Sequence, residues 1–529
     1  MACKHPSASV LSAERRFWLA AWLLVTLTLL HGCSTQRLQP APGVLSQGFA
    51  LPPTSEGVLA GHLAAAVTER CGTDSVFLPL ADNSDALRWR LLLADLATRT
   101  IDAQYYLWGR DDAGRLLLQH LIRAADRGVR VRILVDDMFL LDSDRGIALL
   151  QSHPNIEVTI FNPWQRRGSA LLRGFEFVGR ARMLNRRMHN KLFVADNQVG
   201  IVGGRNIGNP YFGLDDRYNF RDLELLAGGP VVEDISASFD LYWNNPWATR
   251  GSAFDTSDQN PAEPAGLRAE LAGRGIDSKK LRRAAIDVPE AWSAYLDKLA
   301  GAACAEHSWV VYDDPPAASA DDEGVRKIEK LRDLDREIQH ELLIASAYFV
   351  PTTELLDSLT AMSARGVRVR VLTNSLASTN HTMVNSGYSP WRRTLLEAGI
   401  ELYEYRAHPE GADEILAKGI RGGSVTLHTK AFVIDRELVY VGSLNMDPRS
   451  LHINTEMGVL VDDQRLAQTI AGKLEQDMAP ENAWRVSVNP DGRLQWESTA
   501  GTRHLQPARH FGQRIADFFF GLLPIKDQL

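Results

Sequence analysis

Two strings of this chain carry the same reactive side chains at the same spacing. Each has a histidine, a lysine two residues on, an aspartate five residues after the lysine and an asparagine ten residues after the aspartate. The members are His189, Lys191, Asp196 and Asn206 in the first string and His428, Lys430, Asp435 and Asn445 in the second. Because side chains alternate along a strand, the histidine and the lysine project from the same face. Each string therefore offers an imidazole, an ammonium and an amide to one ligand.

Two such sets brought together suit the cleavage of a phosphodiester. One imidazole attacks phosphorus, the other protonates the leaving alkoxide, and the ammonium and amide groups hold the non-bridging oxygens. The candidate catalytic residues are His189, Lys191, Asp196, His428, Lys430 and Asp435, and the candidate phosphate ligands are Lys191, Lys430, Asn206 and Asn445. A single histidine on a strand is usually a satisfied core residue, but duplication of the whole string argues against that interpretation here.

The two aspartates of the strings are expected to differ in role from the histidines. Asp196 and Asp435 fall on the opposite strand parity from their lysines, which favours a structural role over contact with phosphate. Better candidates to hold an imidazole in one tautomer are Glu456, 28 residues after His428, and Asp222, 33 residues after His189. The sequence leaves open whether Asp222 or its neighbour Glu224 serves, or whether either is a plain surface acid.

The chain also repeats outside these strings, which indicates a duplicated domain. The residues from Arg127 onward reappear from Arg365 onward at an offset of 238, close to the offset of 239 between the two histidine strings. In each copy an apolar strand leads into a helical pattern, then Arg-Gly, then a β-branched strand, which is typical of a βαβ unit. We predict an α/β fold with two duplicated domains, each a mostly parallel sheet flanked by helices, sharing one active site at their interface.

The predicted division of the chain follows from this repeat and from composition. We predict that residues 1–33 form a signal segment, 34–73 a tether and 74–250 the first domain. Residues 251–335 are predicted to be a linker or insert, and residues 336–529 the second domain with a C-terminal amphipathic segment.

The N-terminus has the sequence pattern of a membrane-targeting signal. Basic residues precede an apolar stretch of 14 residues that ends at Leu30, which is short for a membrane span. The following His31-Gly32-Cys33 resembles a bacterial lipoprotein signal, which implies that Cys33 is acylated. The alternative is an uncleaved signal anchor. Both place the body in the periplasm beside a bilayer.

Charge and cysteine content narrow the functional classes. The net charge is -7, which argues against a generic nucleic-acid binder. Between Trp164 and Leu192, however, the chain has eight basic residues and one acid, Glu176. Such a stretch is typical of a segment that binds an anionic surface, or of a solvated loop. Cys71 and Cys304 are candidates for a disulfide or for two separate thiols, and no cysteine pair has the spacing of metal ligands.

The duplicated strings resemble the His-x-Lys-x4-Asp motif of the phospholipase D superfamily, and the similarity covers most of the chain from about Asp74 on. This resemblance implies a phosphohistidine intermediate, with neither metal nor cofactor. The superfamily's usual order implies His189 as nucleophile and His428 as acid. Four further segments resemble bacterial cardiolipin synthases of the third, lipoprotein-like type: Gln104 to Trp108, Arg205 to Phe212, Asn374 to Thr379, and Gly442 to Ser450. Asn380 stands where that type has an aspartate.

The resemblance implies transfer of a phosphatidyl group from one phospholipid to the headgroup of phosphatidylglycerol. The expected partners are a phospholipid membrane and an accessory protein, without nucleic acid. The alternative function is hydrolysis, as a periplasmic phospholipase or nuclease. The C-terminal segment from Phe511 to Leu523 combines aromatic residues with Arg514 and Asp517, and predicts a helix that lies in the lipid interface or docks on the protein core.

Overall fold

The computed structural model describes residues 47–63, 69–137, 144–166, 170–253, 277–283, 292–316, 331, 334, 338–412, 414–420, 422–523 and 528. The predicted signal segment and Cys33 lie outside the described residues. Within these ranges no helix has the length and apolar character needed to cross a bilayer.

The helices of the described ranges alternate with strands over most of the chain. The α-helices are α1 (Val58–Leu63), α2 (Glu69–Cys71), α3 (Asn83–Leu96), α4 (Asp112–Asp126), α5 (Asp144–Gln151), α6 (Ala170–Asn185), α7 (Val231–Trp243), α8 (Ser278–Arg283), α9 (Trp292–Asp297), α10 (Thr353–Ala364), α11 (Thr382–Tyr388), α12 (Arg392–Glu397), α13 (Pro448–His452), α14 (Gln464–Met478) and α15 (Phe511–Gly521).

The strands form two large sheets and one small one. They are β1 (Ser75–Leu80), β2 (Thr100–Tyr105), β3 (Arg130–Asp136), β4 (Ile156–Phe161), β5 (Leu192–Ala195), β6 (Val199–Gly203), β7 (Tyr218–Arg221), β8 (Glu224–Gly228), β9 (Ala248–Arg250), β10 (Ala303–Ala305), β11 (His307–Tyr312), β12 (Glu341–Ser346), β13 (Arg368–Asn374), β14 (Glu401–Tyr405), β15 (Ser424–Leu427), β16 (Lys430–Ile434), β17 (Leu438–Gly442), β18 (Met457–Asp462), β19 (Ala483–Val488), β20 (Leu494–Ser498) and β21 (Gly501–Arg503).

The duplicated α/β fold is confirmed, but the expectation of mostly parallel sheets needs correction. Within the described ranges, the first sheet has the order β10-β1-β8-β6-β5-β2-β3-β4-β9 and the second has the order β11-β18-β17-β16-β12-β13-β14-β19-β20-β21. Parallel pairing in these sheets is confined to β2-β3-β4 and β12-β13-β14. The motif strands are antiparallel because a tight turn joins β5 to β6 and β16 to β17.

The repeated Arg-Gly marks the same helix end in both halves. Helix α4 begins after Asp111, whose side chain accepts the N–H of Gly114, and it is followed by Gly128 with a φ of 96°. Gly366, with a φ of 92°, follows α10 in the same way. A positive φ is easily adopted by glycine, so each helix stops there and the chain returns directly into the next parallel strand.

Part of the segment predicted as a linker belongs to the sheets. β10 pairs with β1 of the first sheet, and β11 pairs with β18 of the second, so residues 303–312 pass from one half to the other. Cys304 on β10 forms a disulfide bond with Cys71.

The basic stretch before the first motif does not form one exposed patch. Most of it lies in α6 and the residues that follow, where Arg186 and Arg187 are buried. Arg187 lies 3.3 Å from Asp136, and Arg180 lies 2.5 Å from Glu176. The local positive charge is therefore partly neutralised within the protein.

The halves meet beside the motifs, where one strand from each half forms the small two-stranded sheet. Strand β15, which leads to His428, pairs in parallel with β7 of the first half. An isolated parallel bridge between Met188 and Thr455 makes the reciprocal contact. A buried apolar cluster that includes Leu192, Val202, Val433 and Val441 packs across this junction.

Candidate active site

Both motif histidines lie at the junction, and each is held by the backbone of the other half. The N–H of His189 donates to the carbonyl of Thr455 at 2.9 Å, and the N–H of His428 donates to the carbonyl of Arg221 at 2.7 Å. The residue after each of these carbonyls is an acid, Glu456 in one case and Asp222 in the other. The strand pairing therefore brings each imidazole beside a carboxylate from the opposite half.

The imidazole and carboxylate contacts are crossed between the halves. Nδ1 of His189 lies 2.8 Å from Oε2 of Glu456, and Nδ1 of His428 lies 2.6 Å from Oδ2 of Asp222. A proton on Nδ1 donated to the carboxylate leaves the lone pair of Nε2 for attack or proton transfer. The geometry favours Asp222 over Glu224, because Glu224 is bound instead by Arg90 at 2.6 Å.

The two orienting acids differ in their surroundings. The hydroxyl of Ser443 donates to Glu456 at 2.5 Å. At the corresponding place in the first half, a Cβ on Gly204 would lie 2.6 Å from Oδ1 of Asp222. The shorter acid therefore requires a glycine beside it, whereas the longer acid leaves room for a serine that binds it.

The motif lysines lie in the buried site with the histidines. Nζ of Lys191 donates to the carbonyl of His189 at 2.5 Å, and Nζ of Lys430 donates to the carbonyl of His428 at 2.5 Å. Burial lowers the pKa of Lys191 to about 7 and that of Lys430 to about 8. A bound phosphate would favour the charged form of both.

Burial and nearby cations also keep the imidazoles neutral. Burial, with Lys191 and Lys430, lowers the pKa of His189 well below its usual value. Burial lowers the pKa of His428 to about 3, assisted by Lys430 and opposed by Asp222. Burial raises the pKa of Glu456 to about 7, with Lys191 opposing it. Without an anion in the site, both rings are therefore neutral near pH 7.

The two candidate asparagines are used differently. Oδ1 of Asn206 accepts the N–H of Leu107 at 3.1 Å, and its Nδ2 donates to the Tyr211 hydroxyl at 3.0 Å. Oδ1 of Asn445 is buried and has no hydrogen-bond partner within the described ranges. A half-turn of this amide would place its N–H donors there, as a phosphate oxygen requires.

The two motif aspartates do not join the imidazoles, so their place in the candidate catalytic set needs correction. Asp196 accepts the backbone N–H of Thr98, Arg99 and Thr100 at 2.8 to 2.9 Å. Asp435 accepts the N–H groups of residues 339–341 in the same way. Both carboxylates hold the loop before a central strand, as the opposite parity predicted.

Aromatic side chains that were not among the predicted site residues enclose the imidazoles. The ring of Tyr106 meets His189 edge to face at a centroid distance of 5.1 Å. Tyr211 and Phe220 lie 5.4 and 4.9 Å from the ring of His428. Tyr106 falls in the segment from Gln104 to Trp108 that carried the resemblance, so a signal for it was present. No group of three or more potential metal-ligating His, Cys, Asp or Glu side chains occurs in the part of the chain that the structure describes.

Comparisons with known proteins agree with this geometry. The family model described as "Cardiolipin synthase, PLD-like domain" matches residues 93–243 and 334–478. Cardiolipin synthase C of Escherichia coli (strain K12) is 36% identical over 483 residues, covering 88% of this chain and 99% of that protein. A cardiolipin synthase of Staphylococcus aureus (strain Mu50 / ATCC 700699) is 25% identical over 391 residues, covering 72% of this chain and 63% of that protein.

A solved structure has a similar fold. The crystal structure of phosphatidylserine synthase from Haemophilus influenzae Rd KW20 matches with a TM-score of 0.55 at 14% sequence identity, covering 88% of this chain and 100% of that one. The chain belongs to the phospholipase D superfamily, as a phosphatidyltransferase of the cardiolipin synthase-like family.

Proposed function

We propose that the protein makes cardiolipin by transferring a phosphatidyl group from a second phospholipid to phosphatidylglycerol through a phosphohistidine. The observation that carries the mechanism is the crossed pair of contacts, His189 with Glu456 and His428 with Asp222. These contacts orient two imidazoles in one buried site: a neutral His189 suited to attack, and His428, which carries a proton on Nε2 when an anionic phosphate is bound, suited to proton transfer.

The first half-reaction breaks the bond between phosphorus and the headgroup oxygen of the donor. Nε2 of His189 attacks phosphorus. His428, which takes up a second proton when the anionic phosphate is bound and is then stabilised as an imidazolium by Asp222, gives the proton on Nε2 to the departing alcohol oxygen and becomes neutral. Lys191, Lys430 and Asn445 stabilise the negative charge on the non-bridging oxygens. In the second half-reaction a hydroxyl of phosphatidylglycerol attacks the phosphohistidine, its proton passes to His428, and His189 is released.

The choice between transfer and hydrolysis depends on which hydroxyl reaches phosphorus. Well-oriented groups reach effective molarities of about 10⁵ M or more, so a positioned lipid alcohol can outcompete water. The similarity to cardiolipin synthases over 88% of the chain supports transfer. Hydrolysis, by a phospholipase D or a nuclease using the same intermediate, is the alternative.

We also propose that the body faces the periplasm and is anchored at the membrane through an acylated Cys33. The disulfide between Cys71 and Cys304 supports a location outside the cytosol. Mass spectrometry of the protein isolated from its native membrane is expected to find acylated Cys33 as the first residue. An intact Met1 would contradict this anchor.

The function is tested by product analysis with purified full-length protein in phosphatidylglycerol-containing vesicles. Cardiolipin is expected as the main product, with little phosphatidic acid, and the His189→Ala variant is the inactive control. Unlabelled phosphatidylethanolamine together with acyl-labelled phosphatidylglycerol, and then the reverse labelling, identifies the donor. Phosphatidic acid as the dominant product with phosphatidylglycerol in excess, and with any partner protein supplied, would favour hydrolysis.

A further inference from the structure

The C-terminal helix α15 packs on the protein with its polar side. Gln513 and Asp517, one turn apart, are buried at 7% and 6% exposure. Nε2 of Gln513 donates to the carbonyl of Leu376 at 2.6 Å, and Oδ1 of Asp517 accepts from Nδ2 of Asn385 at 2.8 Å. The helix is therefore held on the second half by specific polar contacts.

The opposite side of α15 is apolar and exposed. Phe511, Phe518, Phe519 and Leu522 are 72%, 65%, 61% and 66% exposed. Their spacing places them on one stripe of the helix. An aromatic stripe turned outward contributes nothing to the core, and contiguous apolar surface of this kind marks an interaction site.

Helix α6 has the same reversed arrangement. Leu171, Phe175 and Val178 follow helical spacing and are 71%, 63% and 81% exposed. Between them the carboxylate of Glu176 is buried and accepts the backbone N–H groups of Gln165 and Arg166 at 3.0 and 2.9 Å. Two helices from different halves of the chain thus turn polar groups inward and apolar groups outward.

Both helices lie beside the active site. Helix α6 ends at Asn185, four residues before His189, and Nδ2 of Asn185 donates to Oε1 of Gln528, beyond the end of α15, at 3.0 Å. At the other end of α15, Arg509 donates to the carbonyl of Thr379 at 2.6 Å.

The loop that Arg509 binds continues towards the site. The hydroxyl of Thr426, two residues before His428, donates to the carbonyl of Ser378 at 2.6 Å, and Arg509 binds the carbonyl of the next residue, Thr379. The apolar stripes therefore flank the approach to the imidazoles.

The charge around the stripes selects among possible occupants. Residues 503–523 contain three arginines, and their only acid, Asp517, is buried. Residues 170–185 likewise contain three arginines, of which Arg180 pairs with the buried Glu176 at 2.5 Å, so the segment keeps a net positive charge from Arg173 and Arg182. Aromatic residues flanked by arginine suit the headgroup region of an anionic bilayer.

The geometry points to a bilayer-docking surface formed by the exposed stripes of α6 and α15, which holds the side of the protein next to the motif histidines on an anionic phospholipid leaflet. This inference rests on the proposed use of a membrane lipid as substrate and adds how that lipid reaches the site. Docking by two separated stripes would fix the orientation of the folded domains on the bilayer, which attachment at the single residue Cys33 would not.

The surface is tested by photo-crosslinking with the full-length protein in vesicles of phosphatidylethanolamine and phosphatidylglycerol. A fraction of the phosphatidylglycerol carries a diazirine in its acyl chain, and adducts are mapped by peptide mass spectrometry. Adduct yields in residues 171–178 and 511–523 are expected to exceed several-fold those around Trp309 and Val488, which are exposed apolar residues elsewhere. Phe518→Ser with Phe519→Ser should remove the C-terminal adducts, whereas the matched control Val488→Ser should keep them.

The outcomes separate docking from the proposed function. Adducts at both stripes without cardiolipin formation would leave the docking surface standing and overturn the synthase function. Adducts restricted to the apolar segment at residues 17–30 would overturn the docking surface. It would also be overturned if lipid-free protein sedimented as a dimer and the protein with Phe518→Ser and Phe519→Ser sedimented as a monomer, since the stripe would then be an interface between two copies of this chain.

Discussion

The contact between His189 and Glu456 makes the reactivity of an imidazole in one half depend on an acid in the other. The same holds for His428 and Asp222. A change at either acid is therefore expected to impair the histidine of the opposite half. This crossing explains how two similar motifs form one site.

The first prediction concerns the two histidines. His189→Ala and His428→Ala are each expected to reduce turnover of natural lipids by about 10²-fold to 10⁴-fold or more, because attack and proton transfer are separate contributions. Turnover is measured by product formation in vesicles, with the melting temperature as a check of folding.

A donor whose leaving group is an acidic phenol distinguishes the two roles. Because such a group leaves without a proton, His428→Ala should retain a burst of phenolate release, whereas His189→Ala should show none. A burst in His189→Ala and not in His428→Ala would reverse the assignment of nucleophile and acid.

The lowered pKa values of the lysines predict a pH dependence. With pKa values of about 7 and 8, Lys191 and Lys430 lose their protons as the pH rises, and the site loses cations that hold phosphate. The kcat/KM, which reports the free enzyme, should fall as the pH rises through about 7 and then about 8. The decline in kcat should lie at higher pH, because bound phosphate favours the ammonium form. A kcat/KM that is constant or rising between pH 7 and 9 would contradict this.

The types of the site residues were predictable, but their pairing was not. The spacing of His189 and Lys191 defines one strand face, and the parity of Asp196 predicted its structural role. The partner of His189, however, lies 267 residues away in Glu456. No local pattern encodes that distance, because it arises only when β15 pairs with β7 and Met188 meets Thr455.

The turn after β6 determines where the Asp222 carboxylate lies. A Cβ at Gly204 would approach Oδ1 of Asp222 to 2.6 Å, so Gly204→Ala is expected to displace the acid and release His428. Misplacement by about 1 Å can cost about 10²-fold in rate, and we predict a loss of that size in kcat. Gly472→Ala, where an added Cβ meets no atom within 4 Å among the described residues, is the matched control. Full activity in folded Gly204→Ala would show that this close approach does not matter.

The disulfide ties α2 to the edge strand β10. Cys304→Ala is predicted to lower the free energy of unfolding by about 2–5 kcal/mol, because the bond restricts the unfolded chain. Activity per folded molecule should not change, since β10 is an edge strand and β1, β8 and β6 lie between it and the motif strand β5 in the sheet. Thermal unfolding with and without reductant measures the effect. Equal melting temperatures for the two proteins under oxidising conditions would contradict a stabilising bond.

The βαβ units were predictable because helix period, Arg-Gly and β-branched residues repeat in both halves. Whether neighbouring strands run parallel or antiparallel was harder to predict, because the antiparallel strands β5 and β6 have the same continuous apolar sequence that parallel strands have. For α15, the predicted docking on the protein is confirmed, whereas its place in the lipid interface stays a prediction. It docks on the protein through Gln513 and Asp517 and turns its phenylalanines outward.

The whole molecule acts as one enzyme with a single site assembled from two halves. Neither half alone contains a complete histidine and carboxylate pair, because both contacts cross the junction. The repeat in the sequence predicted this shared site, and the bridging strands β10 and β11 link the two sheets on which it depends.

The most direct test of this account is to trap the covalent intermediate. Full-length protein is mixed with a phospholipid donor carrying an acidic phenol headgroup, quenched during the burst, and mapped by peptide mass spectrometry. We predict a phosphatidyl adduct on His189 in the wild-type protein and in His428→Ala. In the wild-type protein the adduct should disappear when phosphatidylglycerol is added, as cardiolipin forms. An active enzyme that forms no adduct on either histidine, or one whose adduct lies on His428, would contradict the mechanism.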